Sequence, residues 1–208
     1  MKKFKAIDWR LRPPYMSFTE GLLYQVVRQG TDIAPSVKEL SMDLLISEMD
    51  EAGVEIGVAP YRIGQDNNEM FSMMEKYPNR FKGLAQVNPL DPKEKVLSEI
   101  DKFVLQKGAA GVIIEPGQIF MERPLTADDK ILYPIYEKCE KDNILLTITH
   151  GGLLCAKLEN YDAKYIDRVA IDFPNLKIVI AHGGWPYVPQ ICHVAYQREH
   201  VYISPDCY

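Results

Sequence analysis

The 208-residue sequence predicts an α/β fold of parallel βα units belonging to a (β/α)8 TIM barrel, on three observations. Short Val- and Ile-rich runs alternate with amphipathic stretches along the chain, as βα units do. Polar residues fall at the C-terminal ends of those runs, at Arg10, Glu115, His150, His182 and Asp206, where barrel enzymes carry their chemistry. The fingerprints of the competing open sheet are missing, since no GxGxxG follows the first run and no GxxxxGK occurs anywhere.

Seven strands are expected: FKAIDWR (4–10), VEIGVAPY (54–61), FKGLAQVNP (81–89), GVIIEP (111–116), ILLTITHGG (144–152), LKIVIAHGG (176–184) and VYISPD (201–206). Continuous apolar runs such as IVIA suit strands covered on both faces. Of the helices, 36–53 has Ser36 as N-cap with Glu39 three residues on, a stripe of Val37, Leu40, Leu44, Leu45 and Met49, and Gly53 as a stop. The next, 91–108, is capped by Asp91, takes Pro92 in its first turn and buries Val96, Leu97, Ile100, Phe103 and Val104 before Gly108. In 128–143, Pro134 is tolerated only in a first turn or at a kink, and the first-turn reading starts the regular helix near Leu132. Met70, Met73 and Met74 lie at helical spacing and read as core. Residues 1–208 form one barrel domain in this reading. Seven strands are one fewer than a barrel holds, so a full-length protein with another helix, strand and closing helix is expected.

Composition narrows the function. With 47% hydrophobic residues, 25% charged residues and a net charge of -5, the chain reads as a globular protein without the basic footprint that nucleic acid requires. No apolar run reaches the roughly 20 residues that span a bilayer, and MKKFKAIDW is too short and charged for a signal sequence, so a cytoplasmic protein is expected. Cys139, Cys155, Cys192 and Cys207 contain no CxxC pair and read as reduced thiols. A homo-oligomer stays open.

Three runs, YPNRFKGLAQVNPLDP (77–92), ILYPIYEKCEKDNILLTITHGG (131–152) and FPNLKIVIAHGGWPYVPQI (173–191), resemble in order and spacing the amidohydrolase-related branch of the metal-dependent hydrolase superfamily. That branch holds aminocarboxymuconate-semialdehyde decarboxylase and related lactonases and decarboxylases. The resemblance implies a barrel with its site at the strand ends, a His-x-His on strand one, histidines on strands five and six, and an Asp on strand eight. His150 matches the strand-five ligand and His182 the strand-six histidine, while Arg10 and Arg12 stand in the His-x-His positions. The strand-eight Asp would lie beyond Tyr208, and Asp206 belongs to strand seven.

Guanidinium groups cannot bind a cation, but two on one face suit bidentate recognition of a carboxylate or phosphate, so Arg10 and Arg12 are expected to bind the substrate's anion. Arg62 and Asn88 are expected to line the same pocket. Glu115 closes an apolar run and needs a partner. Two partners fit equally: a zinc ion or other divalent metal, which the resemblance to superfamily branches with a strand-four carboxylate ligand implies Glu115, His150 and His182 could hold with a position open for water, or Arg10 or Arg12 in an ion pair. A metal-free mechanism stays open as well. His182 is the candidate catalytic base or acid, and Asp206 a general base or the group that orients a histidine. His193 and His200 fall at the far end from the site and read as structural or solvent-facing. The expected function is hydrolysis of a small carboxylate-bearing carbonyl compound, a lactone or an amide. The alternatives are a non-catalytic barrel that binds an acidic metabolite, and a decarboxylase of the same family.

Overall fold

The computed structural model describes residues 5–14, 34–60, 66–152 and 154–206. All seven expected strands are present and parallel, taken up in sequence order. The chain divides into two compact units, Met1–Pro60 with Ser72–Lys82, and Tyr61–Phe71 with Gly83–Tyr208.

In the first unit, β1 (Ala6–Asp8) pairs with β2 (Val54–Pro60). β1 stops at Asp8, because the Asp8 carboxylate turns back to accept the Arg10 backbone N–H at 2.9 Å. The strand expected through residue 10 is therefore shorter, and strand alternation does not set the directions of Arg10 and Arg12. Arg10 is buried and Arg12 half-buried.

The single helix expected over 36–53 is two, α1 (Pro35–Lys38) and α2 (Met42–Ala52). Leu40 adopts a left-handed φ of 52°, which ends α1, and Ser41 rather than Ser36 caps α2, its hydroxyl accepting the Leu44 N–H. Ser36 is buried and donates its N–H and hydroxyl to the Glu48 carboxylate. Leu40 is consequently exposed, and the buried stripe is carried by Leu45 and Met49, which pack with Ala59, Met73 and Phe81. Gly53 ends α2 in the left-handed region, as expected.

Helix α3 (Asn67–Lys76) and strand β3 (Phe81–Gln86) each run from one unit into the other. Met70, Met73 and Met74 are core residues, as their spacing predicts. Met70 fills the space at Gly83, where a Cβ would meet its sulfur at 1.7 Å.

The second unit continues with α4 (Lys93–Ile100), β4 (Gly111–Ile114), α5 (Tyr133–Lys141), β5 (Leu146–Thr149), α6 (Ala163–Asp172), β6 (Ile178–Ala181), α7 (Val188–Gln197) and β7 (Val201–Ser204). Helix α4 is extended by a π-helical turn, Asp101–Gln106, and its N-cap is Pro92 rather than Asp91. The Asp91 carboxylate instead meets Lys95, one turn on, at 2.8 Å. Pro134 sits in the first turn of α5, the position its missing N–H allows.

The strand faces divide the labour. Val112, Ile114, Leu146, Ile148, Ile178 and Ile180 pack into one cluster with Ile135, Tyr136, Ile166, Val169, Ile191 and Val194 of the helices. The intervening residues, among them Ile113, Thr147 and Val179, occupy the opposite face and are buried as well. Each strand after β2 leaves its ladder two or more residues before the apolar run predicts. Among the described residues, no helix is long and apolar enough to cross a membrane. Cys139, Cys155 and Cys192 are free thiols, and burial pushes the Cys139 thiol up to about 12. Cys207 lies outside the described residues.

Candidate active site at the strand ends

Parallel pairing of Ile114 with Ile148 brings the next residues, Glu115 and Thr149, side by side. The Thr149 hydroxyl donates to the Glu115 carboxylate at 3.5 Å, and both side chains are buried. One residue further, His150 is 1% exposed, and its ring packs 5.4 Å from that of Tyr161. Burial drives its pKa down to about 4, opposed in part by hydrogen bonds to the backbone of Asp162 and Tyr161. Nε2 is buried with no hydrogen-bond partner among the described residues, so the bonded nitrogen is Nδ1. His150 is a neutral imidazole at pH 7, with the Nε2 lone pair available to a ligand.

His182 follows β6 directly, in a left-handed conformation of φ 64° that the adjoining Gly183 and Gly184 also adopt. That turn meets the turn after β5 backbone to backbone: the Gly152 N–H donates to the Trp185 carbonyl at 3.1 Å. Glycine is required at two places there. A Cβ on Gly151 would lie 2.8 Å from the Trp185 nitrogen, and one on Gly184 would lie 2.3 Å from Cγ1 of Ile191.

Nδ1 of His182 lies 2.5 Å from Oδ1 of Asp206. The imidazole and the carboxylate therefore face each other at ion-pair distance. The other Asp206 oxygen accepts the Ser204 hydroxyl at 3.2 Å and the His182 backbone N–H at 3.4 Å. The carboxylate is thereby held against one edge of the imidazole, which directs Nε2 away from it.

The remaining expected site residues fare differently. Asn88 is half-buried, and its carboxamide oxygen accepts the Leu90 N–H at 3.1 Å, closing the turn after β3. Arg62 lies outside the described residues. His193 is exposed on α7 and His200 half-buried before β7, in keeping with structural or solvent-facing roles. Composition and spacing did not single out Gln86, Gln118, Asn67 or Ser204, although Gln86 and Gln118 are deeply buried. A glutamine inside the apolar run LAQV was the available signal.

The donor set bears on a metal. Among the described residues no three His, Cys, Asp or Glu side chains are grouped to hold a metal ion, so Glu115, His150 and His182 are not brought together as a ligand set. The contacts give the reason: His182 is turned on Asp206, and Glu115 is engaged by Thr149. At the strand ends, Nε2 of His150 is buried and offers its lone pair, and a single such donor does not fit a metal centre.

Comparison with known proteins places this geometry. An uncharacterized TIM-barrel protein from Bordetella bronchiseptica superposes with a TM-score of 0.88 and 33% identity, over 98% of this chain and 75% of that one. A 2-keto-4-carboxy-3-hexenedioate hydratase from Sphingobium is 28% identical over 136 residues, 57% of this chain and 39% of that protein. The chain thus aligns with well under half the length of that relative. A manganese-bound mutant of 5-carboxyvanillate decarboxylase from Novosphingobium aromaticivorans shares the fold at a TM-score of 0.57 and 16% identity, over 93% of this chain and 69% of that one. The sequence profile of the amidohydrolase family matches residues 35–207, and the chain, with its seven parallel strands and its histidines at the strand ends, belongs to that family.

Proposed function

We propose that this chain is the catalytic part of an enzyme that hydrolyses a small carboxylate-bearing carbonyl compound, a lactone or an amide, by proton transfer at His182. The observation that carries this reading is the Asp206 carboxylate seated against Nδ1 of His182. A carboxylate there favours the tautomer that keeps the proton on Nδ1 and stabilises the ring once it is protonated, leaving Nε2 to take a proton from attacking water and return it to the leaving group. His150, neutral and buried, offers a second acceptor in the same unit. Arg10 and Arg12 are proposed to hold the substrate's carboxylate, which an always-charged, forked donor suits.

A hydrolase with these residues draws its nucleophile from water deprotonated by His182, and no step here requires a metal. The hydratase among the relatives supports a second reading, in which the same base adds water across a carbon–carbon double bond of an unsaturated acid. One experiment tests both. Purified full-length protein, with and without chelator, is offered lactones, amides, unsaturated dicarboxylates and aromatic carboxylic acids, and His182→Gln is run beside it. Turnover of a lactone or amide that survives chelation and is lost in His182→Gln supports the proposal. Water addition or loss of carbon dioxide reassigns the chemistry, and thermal stabilisation by acids without any turnover replaces the enzyme with an acid-binding barrel.

A further inference from the structure

Gln86 closes β3 and is 6% exposed. Its backbone is clamped on both sides by Asn67, whose Nδ2 donates to the Gln86 carbonyl at 2.9 Å and whose Oδ1 accepts the Gln86 N–H at 3.0 Å, both bonds buried. Its side chain is half satisfied. Nε2 donates to the Val87 carbonyl at 3.0 Å, whereas Oε1 is buried with no hydrogen-bond donor among the described residues. That first bond fixes which end of the amide is which, because the flipped amide would set oxygen against oxygen. The unanswered atom is therefore an acceptor, and leaving one unanswered is costly.

The position of Gln86 relates it to the site. It pairs with Ile113 on β4, and Ile113 lies on the face opposite the helix-packed Val112 and Ile114. Glu115 follows two residues later on the same side. A rise of about 3.3 Å per residue and about 4.8 Å between strands put the Gln86 and Glu115 Cα atoms roughly 8 Å apart, a gap that a small acid spans.

We propose that Oε1 of Gln86 accepts a hydrogen bond from a hydroxyl group of the substrate, so that the site selects hydroxylated carboxylic acids over their deoxy counterparts. The inference rests on the reading above that the substrate is a small carboxylic acid, and it names a group on that acid. A hydroxyl suits the position because it supplies one neutral donor to a neutral acceptor. A site built to bond a hydroxyl rejects the analogue that lacks it, since the protein group is then left buried and unpaired.

Two sets of probes separate the possibilities: malate, aspartate and succinate, which differ only in a hydroxyl, an ammonium or a hydrogen on one carbon, and salicylate, anthranilate and benzoate, which differ in a hydroxyl, a neutral amino group or a hydrogen on the ortho carbon. Dissociation constants are measured by calorimetry on the wild-type full-length protein, on Gln86→Met and on Gln86→Glu. In at least one set the hydroxylated acid is expected to bind the wild type about 10-fold more tightly than its deoxy partner. The gap should fall below about 3-fold in Gln86→Met and persist in Gln86→Glu measured at about pH 5, where the protonated acid donates to the Val87 carbonyl and keeps an acceptor oxygen there. Gln86→Glu keeps the test decisive if Gln86→Met fails to fold, because loss of the preference in a folded acceptor-bearing variant overturns the proposal. Equal binding of hydroxylated and deoxy acids by the wild type, preference for the amino acids, or a hydroxyl preference that survives in Gln86→Met each overturns it and leaves the carboxylate reading standing. Wild-type protein that binds none of the six overturns both.

Discussion

A histidine held neutral by burial makes the protein sensitive to mild acid, and His150 is such a group. Its pKa falls from an ordinary 6.5 to about 4 on folding. Because the folded value is the lower one, the unfolded chain takes up a proton between pH 6.5 and 4 that the folded chain refuses. Stability is fully present above about pH 6.5, is lost as pH falls through this window, and declines no further from this source below about pH 4. The full loss is about 3 kcal/mol, of which about 2 kcal/mol has gone by pH 5. Urea unfolding of chelator-treated protein at pH 7.5, 6 and 5 reads this directly, and at about 2 kcal/mol per molar the midpoint should fall by roughly 1 M between the ends of the series. The control is His150→Asn, which keeps a donor near the Nδ1 position and removes the titration. Its midpoint should change less over the same range, and the difference between the two proteins isolates His150 from every other group. Asp162 does not interfere, because its depressed carboxyl titrates below 3.8. Parallel pH profiles for the two proteins would refute the argument that His150 is buried and uncharged.

Asp206→Asn keeps the shape beside His182 but removes the charge that favours its productive tautomer, so kcat on whichever substrate is turned over should fall about 100-fold or more with KM little changed. Gly184→Ala forces a side chain into φ 70° and within 2.3 Å of Ile191, and thermal denaturation should show a loss of at least about 1–3 kcal/mol. Leu146 is fully buried in the cluster between strands and helices, and Leu146→Ala should cost about 2–5 kcal/mol in chemical unfolding, with no change in the hydroxyl preference assigned to Gln86.

The alternation of apolar strands and amphipathic helices was enough to place all seven strands, because a sheet covered on both faces demands continuous apolar runs that little else in a chain produces. Where the strands end was less legible. Asp8 terminates β1 through a bond to the Arg10 backbone, and such a side-chain turn leaves no mark in hydropathy. The first helix misled for a related reason: SxxE is a sound capping signal at Ser36, but Leu40 in a left-handed turn and Ser41 as a second cap divide the segment. Of the site, the two histidines before Gly-Gly were visible because polar residues at the ends of apolar strands are conspicuous. The Asp206 contact joins positions 24 apart in sequence, a gap that the β6·β7 pairing closes. Gln86 was hidden because its meaning lies in one unanswered oxygen, which only coordinates reveal.

Both histidines use Nδ1 on the protein, His150 through backbone carbonyls and His182 against a carboxylate, and that shared device has a shared consequence. Fixing one ring nitrogen decides where the other points and what it offers, whether the recipient is a metal or a proton. The count of neighbouring donors separates the two outcomes. A catalytic zinc needs three protein ligands, and the segment just after β1 carries Arg10 and Arg12 where the resemblance expects two histidines, while Glu115 is engaged by Thr149. Arginine offers hydrogen-bond donors in place of lone pairs. In the proposed reading the arginine pair serves an anion where two histidines would serve a cation, and proton transfer is the task given to the oriented imidazoles. A protein so built should turn over its substrate with a rate that follows the protonation of His182 rather than the concentration of added divalent ion, and a pH–rate profile taken with and without chelator distinguishes the two.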